Sequence, residues 1–318
     1  MGCVVENFAS HVTNDAEIAA HDFRDHQRFP APELVIYQMS TGSSVAEYLL
    51  DTDAPLVLNY HNITPAQCFD PWEPHVGAEL HAARRQLSRL THHAFAAIAD
   101  SAYNAAELRE LGMEQVVVSP VLWRAPEARQ GGAAGSGTRI LFVGRVAPNK
   151  RFEDLLAMMA VLRTRRPDAV LDLVGGVSSD RYASALRELV VRLDLDDVVH
   201  FHGSVDDRTL DQMYTESTVY VSASEHEGFC VPLIEAMSAR LPVVARDAAA
   251  VPETLGGAGL LVDGPDPTAL ATAVDRVLSD ADLRSCMIEL GVARARDFDL
   301  TTAEASLVES LRPLLEEV

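Results

Sequence analysis

The stretch TVYVSASEHEGFCVPLIEAM, residues 218–237, reads as one strand, loop and helix, and it decides the fold class. β-Branched and aromatic residues at 218–221 suit a buried strand. Gly228 permits close backbone approach, and Pro232 suits the first turn of a helix that starts near Val231. Two glutamates frame that start. Glu227 lies in the loop and Glu235 about one turn inside the helix, ~5 Å further along its axis, so they would touch different parts of one elongated ligand. A carboxylate accepts well from two adjacent hydroxyls, and the N–H groups of Phe229, Cys230 and Val231 at the helix start favour an anionic or oxygen-rich group.

Working outward, the same grammar repeats. RILFVG, AVLDLVG, VVHFHG, PVVAR and GLLVD read as further strands, separated by RFEDLLAMMAVLRTRR, RYASALRELVVRL, DRTLDQMYTES and DPTALATAVDRVLSD at helical period. Alternation of this kind implies a parallel sheet covered by helices, with ligands gathered beyond the carboxyl ends of the strands. The earlier part is similar, with strands LVIYQM, PLVLNYH, FAAIADS and QVVVSPV and a helix through AELHAARRQLSRLTHH. RAPEARQGGAAGSGTR is rich in Gly and Ala and poor in apolar residues, as a linker is. The expected fold is therefore α/β, with two Rossmann-like, doubly wound domains facing each other across a cleft. They span 1–123 and 139–300, joined by a linker at 124–138. A terminal amphipathic helix at 301–318, opened by a Thr301 cap with Glu304 three residues on, is expected to pack back on the first domain.

Bulk properties exclude several classes. With 318 residues and 48% hydrophobic content the chain can bury large cores, while a net charge of −21 disfavours nucleic acid or an anionic membrane as partner. No apolar run approaches the ~20 residues of a membrane-spanning helix, and MGCVVE carries Glu6 where an acylation signal needs Ser or Thr. Cys3, Cys68, Cys230 and Cys286 show no paired spacing, so neither a disulfide framework nor a zinc site is expected, and a cytoplasmic protein is. None of this sets the oligomeric state.

Further candidates lie at strand ends. Arg145 and Lys150 follow a strand and precede a helix, an arrangement that binds phosphate without a full P-loop; as lone residues they also read as solvated loop cations. His61 and Asn62, with Thr64 and Pro65 after them, follow PLVLNY; a strand-end histidine can donate to a sugar hydroxyl or a leaving phosphate, or simply cap a helix. Ser40, Gly42 and Ser43 offer hydroxyl and backbone donors or a plain turn. Asp51 and Asp53 form a D-x-D that reads as a turn, and the remaining histidines lack metal-ligand spacing. For Glu227 and Glu235 a glycosidase-type acid/nucleophile pair is the rival chemistry, although such pairs usually come from separate strand ends. A capping glutamate with an unrelated second one is the plainer alternative.

Taken together, VGRVAPNK, HFHGSV, EGFCVPLIEAM and VPETLGGAGLLVD, in this order and spacing, resemble retaining glycosyltransferases of family 4, which have the two-domain GT-B fold. The resemblance covers essentially all of the second domain. It implies that Arg145 and Lys150 neutralise a donor diphosphate, that main chain near Val205 contacts the nucleobase, and that Glu235 holds the ribose. Glu227, with the backbone from Gly228 to Val231, would grip the sugar and distal phosphate. YHNITP is similar to a first-domain motif whose histidine faces the donor sugar, which makes His61 and Glu227 the catalytic candidates. The implied partners are a nucleotide-diphosphate sugar and a sugar, lipid or small-molecule acceptor, with no metal and no cofactor. The alternatives are a non-catalytic nucleotide-sugar-binding homologue or regulatory subunit, an epimerase, or a phosphorylase. Two departures stand out: Arg240 replaces a usual Gly at the end of the EAMSA helix, with an altered turn expected, and the chain is expected to begin one βα unit late.

Overall fold

The computed structural model describes residues 4–10, 19–124 and 137–316, so most of the expected linker and the opening residues 1–3 lie outside the described residues. A short parallel pair, β1 (Phe8–Ala9) and β2 (His21–Asp22), precedes the first main sheet. That sheet consists of β3 (Val35–Met39), β4 (Leu56–Tyr60), β5 (Ala96–Ala99) and β6 (Val116–Val118), all parallel and in chain order. Between successive strands run α1 (Ser44–Leu49), α2 (Pro74–His93) and α3 (Ala102–Glu110).

The second sheet contains β7 (Arg139–Val143), β8 (Val170–Val174), β9 (Val199–Gly203), β10 (Val219–Ser222), β11 (Val243–Arg246) and β12 (Leu260–Val262). Its strand order, β12-β11-β10-β7-β8-β9, reverses between β7 and β10. This is a doubly wound sheet with a topological switch point, where the chain leaves neighbouring strands in opposite lateral directions and opens a crevice. Its connections are α4 (Phe152–Arg163), α5 (Asp180–Arg192), α6 (Asp207–Glu216), α7 (Val231–Ser238) and α8 (Val251–Leu255), followed by α9 (Pro267–Ser279) and α10 (Ala281–Arg296).

Burial follows the period-2 pattern of the strands. In the first sheet Leu56, Leu58 and Tyr60 face α1, α2 and α3 through Ala46, Leu49, Leu80, Leu87 and Leu108. Val57, Ala96 and Ile98 face the other way, where Leu307 and Leu311 of α11 (Leu300–Glu316) cover them. Helices thus lie on both faces of this sheet, one of them supplied by the far end of the chain. The start of α11 differs from expectation. Asp299 caps it, its carboxylate accepting from Thr301 N at 3.1 Å, because the helix begins one residue before Thr301.

Candidate functional site

Because β7 and β10 are neighbours, the loops after Val143 and Ser222 leave the sheet side by side. The end of β8 crowds against the first of them: a Cβ on Gly175, at φ 144°, would stand 2.1 Å from the Gly144 carbonyl oxygen. A 3-10 turn at Pro148–Lys150 then carries the chain into α4. Buried Asn149 ties the two loops together, its carbonyl accepting from Glu225 N at 3.0 Å and its amide donating to the His226 carbonyl at 3.2 Å. This brings Lys150 Nζ to 2.6 Å from Glu227 Oε1. Burial pushes the Lys150 ammonium down most strongly, but its neighbours, Glu227 first by charge and also by hydrogen bond, together outweigh it, and the group lies above the ordinary lysine value. Arg145, exposed on the same loop, is near enough to oppose that rise.

Helix α7 starts from Cys230, whose φ of 74° is left-handed. The sharp turn presents the backbone of Phe229, Cys230 and Val231 at the helix start, where first-turn N–H groups lack intrahelical acceptors. Thr254 donates its hydroxyl to the Phe229 carbonyl, and the Phe229 ring meets Phe298 edge-on at 5.4 Å. Burial pushes the Cys230 thiol well up, which keeps it protonated and poorly nucleophilic. Glu235 lies on α7, and Tyr214 of α6 donates to its Oε2 at 2.7 Å. Val205, half-buried, packs on the same core as Tyr214 and Val231.

The first sheet meets this loop directly. Asn62, at φ 73°, accepts from His226 Nε2 at 2.6 Å and donates to Asn104 Oδ1 at 2.7 Å. Burial, then the charge of Arg84, push His226 down to about 4, with Glu227 opposing and Lys150 adding to the fall, so the ring is neutral near pH 7. A Cβ on Gly228 would stand 2.7 Å from Asn62 Cβ and 3.1 Å from the His61 carbonyl, which makes glycine the residue that fits. Ser101 Oγ donates to the Gly228 carbonyl at 2.7 Å, and the Glu253 carboxylate of α8 accepts from Ala102 N at 2.8 Å at the start of α3.

His61 is held from two sides. Its Nδ1 lies 2.9 Å from Asp100 Oδ2, and its Nε2 faces Gln38 Oε1, which also accepts from Asn59 Nδ2 at 2.8 Å. The remaining expectations fare unevenly. Ser43 caps a helix and spends its polar groups inside the first part of the chain: its hydroxyl accepts from Ala46 N at 3.2 Å and meets Tyr37 Oη at 2.7 Å, and its amide donates to Gln86 Oε1 at 3.0 Å. Gly42 packs against Ala83 and Gln86 of α2, Ser40 is exposed, and Thr64 is half-buried beside Ile63. Asp51 and Asp53 lie exposed after α1. The altered turn expected at Arg240 does not occur: at φ 62° it occupies the left-handed position, with Leu241 N donating to the Ala236 carbonyl at 2.9 Å and Arg240 N to Met237 at 3.1 Å.

Residues 124–293 match the family model described as glycosyl transferases group 1. The chain belongs to this family. Among curated relatives of this group 1 member, D-inositol 3-phosphate glycosyltransferase of Streptomyces scabiei is 34% identical over 177 residues, covering 53% of this chain and 40% of that protein. The chain thus spans about half or less of the length of the curated relatives it matches. Sucrose-phosphate synthase from Thermosynechococcus elongatus superposes with a TM-score of 0.72 at 23% identity, over 90% of this chain and 74% of that one. Anabaena HepE in complex with UDP-glucose gives 0.70 at 19% identity, over 88% and 79%. Both show the shared two-domain GT-B fold. No helix of the described residues is long and apolar enough to cross a membrane.

Sequence reasoning missed the residues that set the others in place: Asn149, Tyr214, His226 and Glu253 in the second part, and Gln38, Asp100, Ser101 and Asn104 in the first. Asp100 carried a readable signal, because it directly follows the strand end Ala99, whose neighbour Tyr60 ends the strand before His61. The rest are ordinary polar residues whose partners are remote in the chain.

Proposed function

We propose that this group 1 glycosyltransferase moves a sugar from a nucleotide-diphosphate sugar, of which a UDP-sugar is the first to test, to a hydroxyl acceptor with retention of anomeric configuration. The observation that carries the reading is the Lys150–Glu227 pair at the switch point, beside Arg145 and the start of α7. A diphosphate entering there competes with Glu227 for the Lys150 ammonium. The exchange sets Lys150 and Arg145 against the charge of the leaving diphosphate and lets Glu227 accept from sugar hydroxyls. Glu235, oriented by Tyr214, takes the ribose diol, and main chain near Val205 takes the base. His61, aligned by Asp100 at Nδ1, exchanges Gln38 for a sugar hydroxyl at Nε2 and donates to it from the first-sheet side, and retention follows if the acceptor attacks from the face the nucleotide leaves. These roles need no metal at the diphosphate, because protein cations supply the charge.

The test combines binding and turnover. UDP should raise the melting temperature of the parent chain and leave Lys150→Ala and Glu235→Ala unmoved. UDP-sugar with a mixture of hydroxyl acceptors should release UDP in proportion to acceptor. Absence of any nucleoside diphosphate stabilisation in the parent overturns the donor reading.

A further inference from the structure

We propose a divalent transition-metal site on the outer edge of the second sheet, made by Asp172, His200 and His202. Among the described residues β9 is an edge strand, paired with β8 alone. Asp172 is the direct cross-strand partner of His200, so both side chains emerge on one face. In a regular ladder His202 would then stand opposite Val174. Instead the register shifts after Leu173, pairing Val174 with Gly203, so His202 is the extra residue of a β-bulge. Bulges re-aim side chains, and this one turns His202 onto Asp172, with Nε2 2.7 Å from Oδ1. His200 Nδ1 lies 3.5 Å from the same oxygen, and the three donor atoms all fall within 4.8 Å of one another.

Ligand atoms held ~2.0–2.1 Å from a tetrahedral ion stand roughly 3.3 Å apart, so small side-chain rotations would seat an ion among these three. Arg139 Nη2 holds Asp172 Oδ2 at 2.7 Å and leaves Oδ1 for the ion, the outer-shell arrangement that orients a ligating carboxylate. Asp172 is buried at 1% exposure, while the His200 and His202 side chains are 46% and 32% exposed, which gives an ion an entry path and an open position for water. Two imidazoles and one carboxylate select Zn²⁺, Co²⁺, Ni²⁺ or Cu²⁺ over the oxygen-seeking Mg²⁺ and Ca²⁺. The H-x-H pair in HFHG revises the expectation that the remaining histidines lack metal-ligand spacing. Asp172 reaches it only through strand pairing.

The ion would pin the free edge of the sheet just before Gly203, Ser204 and Val205. The test uses the EDTA-stripped full chain, titrated with ZnCl₂ by calorimetry and with CoCl₂ by visible absorption. The expected result is one ion per chain, a cobalt d–d band of low-coordinate intensity, and a zinc-dependent rise in melting temperature. His200→Ala and His202→Ala should each weaken zinc by about tenfold or more while circular dichroism shows the metal-free chain still folded; His200→Ala, the more exposed of the two, should leave the metal-free melting temperature unchanged. Equal zinc binding by the double variant His200→Ala/His202→Ala, or no saturation of the parent by about 1 mM zinc, overturns the proposal. The readout does not involve sugar transfer, so it stands or falls separately from the donor reading.

Discussion

The two sides of the candidate site are built in different ways. On the second sheet, Glu227, the start of α7 and Glu235 come from a single run of chain, and Lys150 joins them from the neighbouring strand end. On the first sheet, His61 is set by Gln38, Asn59 and Asp100, drawn from the ends of three strands. The second-sheet side relies on charge at a topological switch point and retains its logic wherever that βα unit folds. The first-sheet side relies on packing, since no one of its residues acts without the others in place. Between them lies a tight seam of Asn62, Gly228, Ser101 and His226.

The comparison breaks most sharply at Lys150. Lys150→Ala leaves Glu227 without its cation and, on the proposed function, removes a charge set against the donor diphosphate, so steady-state nucleotide release should fall by about 10²–10³-fold. An undiminished rate would remove the second-sheet side from the chemistry. Next comes the seam itself. Unfolded histidine titrates near 6.5 and folded His226 near 4, so above 6.5 neither state carries its proton; between those values only the unfolded chain does, and stability is lost as the pH is lowered from 6.5 towards 4. The loss is at most about 3 kcal/mol, and His226→Gln, which retains a donor for Asn62, should flatten it in urea melts across that window.

Gly228→Ala probes the seam sterically. The added methyl meets Asn62 and the His61 carbonyl, so about 1–3 kcal/mol of stability should go, read by urea unfolding. Asp100→Asn tests the first-sheet side alone: it should lower turnover about tenfold while leaving the UDP-induced melting shift intact, because donor charge is held elsewhere. Loss of that shift instead would place Asp100 on the donor side. The smallest expected effect is at Arg240, where Arg240→Gly should add about 0.5–1 kcal/mol by relieving a side chain from a left-handed position.

Legibility followed the same division. The βα units of the second sheet announced themselves by period and by glycine and proline placement, and the short α8 and the long α10 were the parts not read. α10 carries only Met287, Gly291 and Ala295 as buried residues, too sparse a stripe to show as a helical face. α3 escaped for a similar reason, since Asn104 sits in its buried face. Ser43 read equally as a donor or as part of a plain turn because a strand-end serine looks the same whether it faces a ligand or caps a helix. Only the capping bond distinguishes the two.

What the sequence determined by itself was local: the alternation that makes two parallel sheets, the helix start at Val231, and the placement of Lys150 and Glu227 in loops after strands with Glu235 inside the helix that follows. These depend on periodicity and on residues near one another in the chain. The tertiary structure alone decided that Glu227 pairs with Lys150, that Asp100 aligns His61, that α11 covers the first sheet, and that a bulge turns His202 onto Asp172. Each of those is a contact between distant segments, set by strand register and by the fit of buried polar groups, and neither leaves a periodic mark on the chain.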